Sequence, residues 1–550
     1  MNAIHMHGRQ HSVASLRARA GRVNAVHKLL VGAVLAVAAV AFAAPRAGAM
    51  PSTPDQVAAD EALDSWDLTE AEPIIARLNA SAPQDPENLL LTGEYHLLDG
   101  DYQKAVEYFS QAVHAGADPL AQHYLGLATA VYEQTKNAKK HTTADGRFII
   151  SVSPGVDEIL IPYTEEALAK AWPRLTKIFD FQPDRPIRIE FYPTVDVLGA
   201  VSPLTVAEIR TSGTIALCKY NRLMVTSPRD LVYGYDWLDT VAHELIHLII
   251  TKKSRNTVPI WLHEGLAKYY EVMWQETAVP KLERTSEGFL AKALANDTLI
   301  SFAAMSPSMA KLPSQEATAT AFAEVFTVIG FLNQRAGKDV AADLVALMAA
   351  GKSDRDAVSA IANLPFDRFE RTWKGYLKQQ GYRPEEASHA QELLFKGKHA
   401  EADELATIKI DKARGHVWLG DQMRVKKRWK AAAKEYTKAV TYVGDASPLV
   451  QGKLGYALLR LGRFEDAAAE LEKPIALYPR HVILHVYLGQ ALLALGKLDE
   501  ARAHLETAIT INPFDPDVHE SLALVYDRLG LADRAAVERR AQKLLSQPAP

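Results

Sequence analysis

The feature that most constrains this 550-residue chain is a repeat with a period of 34 residues near its C-terminus. Three segments align at that spacing, beginning at Pro448, Val482 and Pro516. Leu454-Gly455, Leu488-Gly489 and Leu522-Ala523 share one position of the repeat; Ala467, Ala501 and Ala535 share a second, Pro479 and Pro513 a third. Small residues recurring among leucines at this period predict antiparallel helix pairs. An Ala or Gly lets two helix axes approach, and a Leu or Tyr fills the seam. One such pair cannot bury its apolar face alone, so the pattern demands a stack.

A less regular copy precedes the three, with Gly420, Ala432 and Tyr436 in register, and a weaker one lies around Gly397 to Leu405. Near the other end, Gly93, Ala105, Phe109 and Ala112 stand at the same spacing, and Leu125-Gly126 opens a further half-repeat. The stretch from Trp66 to Pro83 reads as a degenerate first copy. Both arrays resemble the tetratricopeptide repeat (TPR). The resemblance implies a helical solenoid whose groove takes a protein or peptide partner. Simple cover and stiffening of whatever lies between the arrays is the other reading, and the sequence leaves both open.

The first fifty residues are a different material. Arg9, Arg17, Arg19, Arg22 and Lys28 form a basic opening without an acidic residue, followed by an unbroken apolar run from Leu29 to Ala44 and the small-residue trio Ala47-Gly48-Ala49. That order predicts a secretory signal peptide over residues 1–49 and an exported protein, periplasmic or secreted. The apolar run falls short of the roughly 20 residues a spanning helix needs, although an uncleaved N-terminal anchor stays open. No membrane span is expected beyond this segment. Residues 1–49 hold six of the 62 basic residues and none of the 66 acidic ones, leaving 56 against 66. An acidic chain without a polybasic stretch gives no electrostatic argument for a nucleic-acid partner. With Cys218 as its only cysteine, the chain can form no internal disulfide, and any metal must be held by His and carboxylate.

Between the arrays the texture changes. Residues from Phe148 and from Pro186 alternate in the β manner, and the stretch from Thr211 reads as two strands joined around Lys219 to Arg222. Mainly helical patterns follow, and Phe366 to Leu377 forms an amphipathic helix that closes the region. The expected domains are therefore 50–140 (N-terminal helical repeats), 141–382 (an α+β domain, a small sheet then helices) and 383–550 (the C-terminal array).

The first helix of that middle domain carries the chemistry. His243 and His247 in HELIH are four residues apart and project from one helix face, where two imidazoles can bind one Zn²⁺ with Glu244 beside them. In WLHEGLA a second helix would present Glu264 inward, supplying the third protein ligand of a site that keeps one position open. Gly265 would let the two helices come close. HELIH followed by WLHEGLA resembles the gluzincin metallopeptidases of the peptidase MA-like superfamily, with sixteen residues between His247 and Glu264. The resemblance implies a zincin-like fold and one zinc per chain held by His243, His247 and Glu264. It also implies Glu244 as general base and peptide hydrolysis by metal-activated water. The strand around Thr214 to Cys218 would pair with an extended substrate.

Relatives often supply an oxyanion-stabilising Tyr from a downstream helix, where Phe322 and Phe326 stand here. His263, Tyr269 and Tyr233 are the candidates for substrate or oxyanion contact, with Tyr235 and Tyr270 as further substitutes, each also readable as an ordinary packing residue. Asp236 and Asp239 read either as residues orienting a ligand imidazole or as helix N-terminal caps. The expected activity is that of an exported zinc peptidase whose repeats recruit protein or peptide. The alternative is a catalytically weak or inactive zinc-binding TPR scaffold in the cell envelope.

Overall fold

The computed structural model describes residues 53–547, apart from 307–308, 310–311, 384–394, 397–404, 406 and 445–446. The expected signal segment and the weak repeat copy around 397–405, save Leu405, lie outside the described residues.

The chain opens with helices α1 (Pro54–Asp64) and α2 (Leu68–Ser81), then α3 (Pro86–Asp99), α4 (Tyr102–His114) and α5 (Pro119–Thr135). Their starts follow from local chemistry. Thr53 and Gln56 form a reciprocal capping box, and Asp85 caps α3 with Pro86 at the first helical position. The small repeat residue does what its spacing predicts. A β-carbon on Gly93 would lie 2.5 Å from the Phe109 ring, so α3 and α4 can approach only because it is absent.

A five-stranded mixed sheet follows. Its strands are β1 (Lys139–Thr142), β2 (Phe148–Val152), β3 (Ile187–Tyr192), β4 (Ala216–Lys219) and β5 (Arg222–Thr226), in the order β1-β2-β3-β5-β4. The β2–β3 and β3–β5 pairs are parallel, β1–β2 and β4–β5 antiparallel. Parallel neighbours need crossovers. The helix α6 (Leu160–Phe179) supplies the first, and α7 (Val195–Val201) with α8 (Val206–Ser212) lie in the second. Tyr220 and Asn221, both at positive φ (54° and 55°), make the two-residue turn that puts β4 back alongside β5. β1 escaped the sequence reading because Lys-Lys-His-Thr is polar and mostly exposed.

The helical half comprises α9 (Trp237–Ser254), α10 (Ile260–Tyr270), α11 (Arg284–Asn296), α12 (Gln315–Ala336), α13 (Ala341–Ala349), α14 (Asp354–Ala362) and α15 (Phe366–Gln379). Among the described residues the C-terminal array has four hairpins: Asp411–Val425 with Trp429–Val443, Pro448–Arg460 with Phe464–Ile475, Val482–Ala494 with Leu498–Ile511, and Pro516–Arg528 with Ala532–Leu545. Gly420 abuts Tyr436, Gly455 abuts Leu471 and Gly489 abuts Leu505, each too close for a β-carbon. No helix among the described residues is long and apolar enough to cross a membrane.

The two arrays join the middle region differently. The N-terminal helices share one continuous apolar core with the sheet and with α9 to α15. The C-terminal array keeps its own core and docks on the segment just before α9. There Tyr235 N–H donates to Ile511 O at 2.9 Å, and the Trp237 indole N–H donates to Ile509 O at 3.0 Å. Arg480 Nη1 lies 2.7 Å from Asp236. Gly234 makes the approach possible: its φ is +72°, and a β-carbon there would stand 2.2 Å from Ile511 O. Gly234→Ala should therefore lower stability by on the order of 2 kcal/mol and loosen this junction. Thermal unfolding with limited proteolysis checks this, and an unchanged melting temperature would contradict the close contact.

Candidate metal centre

The helix α9 is almost wholly buried, packed on the sheet through β4 and β5 and against α6, α10 and α13. A helix apolar on nearly all sides suits such a position, and its few polar groups must then find partners. His243 and His247 sit one turn apart with their Nε2 atoms 3.0 Å from each other. The second helix, α10, begins after extended Pro259 and carries Glu264 to the same point. Glu264 Oε2 lies 3.4 Å from His243 Nε2 and 3.5 Å from His247 Nε2. The three residues offer ligand atoms all within 4.8 Å of one another, and each residue is at most 1% exposed.

The electrostatics show what this cluster wants. Burial pushes the Glu264 carboxyl up, but the imidazoles of His247 and His243 outweigh it and hold it below the usual range. Burial alone would lower His243, yet Glu264 and Glu271 keep a proton on it, up to about 10. Burial holds His247 below its ordinary value. Glu244 is fully buried and pushed up to about 8, first by burial and then by Glu264. Neither of its oxygens has a hydrogen-bond partner, nor does Glu264 Oε2. Convergent imidazole nitrogens and orphaned carboxylate oxygens in a dry site fit a divalent cation, and two His with one carboxylate suit zinc.

Behind the ligands stands a layer that the sequence reading misassigned. His243 Nδ1 lies 2.9 Å from Glu271 Oε2, whose other oxygen accepts from Lys268 Nζ at 2.5 Å. Glu271, rather than Asp236 or Asp239, therefore orients the first imidazole. It follows Glu264 by seven residues, two helical turns along the same face, and that spacing was the available signal. Asp236 makes no side-chain cap and takes Arg480 instead. Asp239 accepts from the Trp274 indole N–H at 2.7 Å and from Gln275 at 3.2 Å.

The candidates for substrate or oxyanion contact are likewise placed elsewhere. His263 Nδ1 lies 2.7 Å from His247 Nδ1, on the side of that imidazole away from Glu264, and its Nε2 is 3.5 Å from Thr251 Oγ1. It steadies a ligand rather than facing a substrate. Tyr269 packs on Tyr270 and Phe326, and Tyr233 packs against His481 of the C-terminal array, the rings tilted with centroids 4.6 Å apart. Tyr235 donates to Thr226 O, and Tyr270 donates to Asp339 at 3.2 Å. Gly265 does not ease the meeting of α9 and α10. Its open side meets α12, where a β-carbon would stand 3.1 Å from Val325 O.

The edge of the sheet completes the site. Thr226 N–H donates to Ile215 O at 2.8 Å, so residues 215, 217 and 219 turn their main-chain groups towards β5. Ala216 and Cys218 then turn theirs away from β5, but both residues are buried, at most 1% exposed, so this edge is covered and does not present the open strand expected for pairing with an extended substrate. Glu244 lies close enough to the Cys218 main chain to be drawn down by it, without completing a hydrogen bond.

Because Glu271 holds His243 in line, Glu271→Gln, which keeps the side chain's shape and an acceptor oxygen beside Lys268, should weaken zinc binding about 10- to 100-fold. Chelator-competition titration measures this, and unchanged affinity would contradict the orienting role.

Comparison with known proteins agrees with this architecture. Residues 167–379 match the Peptidase MA superfamily, and residues 57–134 and 453–516 match the tetratricopeptide repeat. No curated protein matches the chain. Similar solved structures include MamA, at 24% identity over 24% of this chain and 73% of that one, with a TM-score of 0.23. A thermophilic TPR protein of Thermus thermophilus, TTC0263, shows 25% identity over 24% and 74%, TM-score 0.23. The first TPR of Spaghetti (RPAP3) bound to an HSP90 peptide shows 22% identity over 22% and 94%, TM-score 0.20. The middle of this chain is accordingly a Peptidase MA superfamily domain set between tetratricopeptide repeats.

Proposed function

We propose that this chain is an exported zinc-dependent peptidase of the gluzincin type, with repeats that recruit a protein or peptide. The observation that carries the reading is the convergence of His243, His247 and Glu264 on one point, with the unpartnered carboxylate of Glu244 buried beside them. Zinc at that point would lower the pKa of water and polarise a scissile carbonyl. The chain's own residues supply the rest. Glu271 and His263 fix the two imidazole rings from behind. Glu244, held dry and high in pKa, is suited to take a proton from water and deliver it to the leaving amine. Recruited peptide would lie in the C-terminal array along the cleft lined by Arg424, Lys453, Tyr456, Tyr487 and Gln490. The order of basic, apolar and small residues in 1–49 supports export.

A zinc-binding scaffold is the second reading. It is favoured by one observation: Tyr233, Tyr235, Tyr269 and Tyr270 are all engaged away from the metal ligands. Glu244→Gln separates the two. The zinc-loaded wild type should cleave a peptide mixture followed by mass spectrometry, and the variant should keep its metal while losing at least about a hundredfold in rate. A zinc-loaded wild type that cleaves nothing would leave the scaffold reading, and undiminished turnover in the variant would remove Glu244 from its role.

A further inference from the structure

The turns inside the C-terminal hairpins allow a comparison within the chain itself. In three of them the second turn residue is a glycine in left-handed backbone: Gly462, Gly496 and Gly530, with φ of 71°, 76° and 75°. Leu461, Leu495 and Leu529 precede these glycines. The first hairpin keeps the same turn but places Lys426 and Lys427 there, so Lys427 adopts φ +55° with a full side chain. A β-carbon disfavours that conformation, and lysine has no local hydrogen bond to offset it.

The following helix departs from its sisters as well. The sister helices carry acids in their first turns: Glu465 and Asp466, Asp499 and Glu500, and Asp533. The helix Trp429–Val443 has none and carries Lys430 there instead, after Arg428 at the cap position that Arg463 and Lys497 occupy in two of the sisters. Cations at the positive end of a helix dipole are unfavourable. Two local penalties therefore fall on one turn, and both concentrate positive charge.

The charge is also free. Lys426, Lys427, Arg428, Lys430 and Lys434 are exposed, the last two along the outer face of the helix, and none has an acidic partner among the described residues. The nearby acids are taken: Asp421 by Tyr436 and Lys453, Glu435 by His416 and Lys438. Val425, which directly precedes Lys426 in the chain, has 71% of its surface exposed. Beside them Arg460 lies over the Trp429 ring at 5.2 Å. In a chain with more acids than bases overall, this is a marked local reversal.

We propose that Lys426, Lys427, Arg428, Lys430 and Lys434, with the exposed Val425 that precedes them, form a docking surface for an anionic lipid bilayer. An outward turn and an outer helix face suit a planar partner. An exposed aliphatic side chain next to lysines suits the headgroup boundary, where the valine enters and the ammonium groups meet phosphate. An acidic polypeptide would use the cations but leave Val425 without a role.

The test is vesicle sedimentation of the chain from residue 51 onward, which contains every described element. Vesicles of phosphatidylglycerol and phosphatidylcholine would be compared with phosphatidylcholine alone. Binding to the anionic vesicles should fall about a hundredfold in Lys427→Gly/Lys430→Gln/Lys434→Gln, at roughly fivefold per cation, and should weaken in high salt. A charge-matched control at exposed positions elsewhere, Lys177→Gln/Lys352→Gln/Lys378→Gln, should bind as wild type. Lys427→Gly alone should raise the melting temperature, because it restores the residue the sister turns use. Equal binding by the triple variant, equal binding to neutral vesicles, or binding to polyglutamate but not to anionic vesicles would each overturn the proposal.

Discussion

The structure depends on charge compensation in a place that water hardly reaches. His243, Glu244, His247 and Glu264 lie within two packed helices, each at most 1% exposed. Isolated charges there would be expelled or neutralised, so the cluster persists only because its members answer one another. Glu264 and Glu271 hold a proton on His243, and Lys268 balances Glu271. A divalent cation placed among the same atoms would take over the role of that proton, which is why metal uptake at such sites releases protons.

That arrangement is tied into the rest of the molecule. The α9 helix is wedged between the sheet and the helices that follow, and its first turn is held by the C-terminal array. Arg480 reaches from the array to Asp236 at 2.7 Å and to Asp239 at 3.6 Å. Burial raises both carboxyls while Arg480 pulls them back. Asp239 in turn holds Trp274 and Gln275, at the end of the short turn Glu271–Trp274 that also carries the partner of His243. Polar contacts at both ends of that one turn thus link the C-terminal array to a ligand imidazole. The N-terminal array, fused into the same apolar core, fixes the opposite side.

Much of this was legible in the residues. The 34-residue period located the three regular C-terminal hairpins, because Gly455, Gly489 and their leucine partners are selected by contact at one point of each repeat. Helical periodicity alone settles that the i, i+4 histidines share a face, and the packing of α10 on α9 brings Glu264 to them. What the sequence concealed was set by tertiary packing. Asp236 and Asp239 stand where capping acids stand, and only the docked array shows that Arg480 claims them. His263 adjoins a ligand in sequence, but the rotation of α10 turns it behind His247. β1 is a strand by pairing with β2 rather than by its own composition.

The most direct test of the central account is the metal content of the purified chain by plasma mass spectrometry, beside a Glu264→Ala variant. The account predicts about one zinc per wild-type chain and its loss in the variant, in keeping with a site of three protein ligands. A well-folded wild type that holds no zinc after zinc is offered would contradict it.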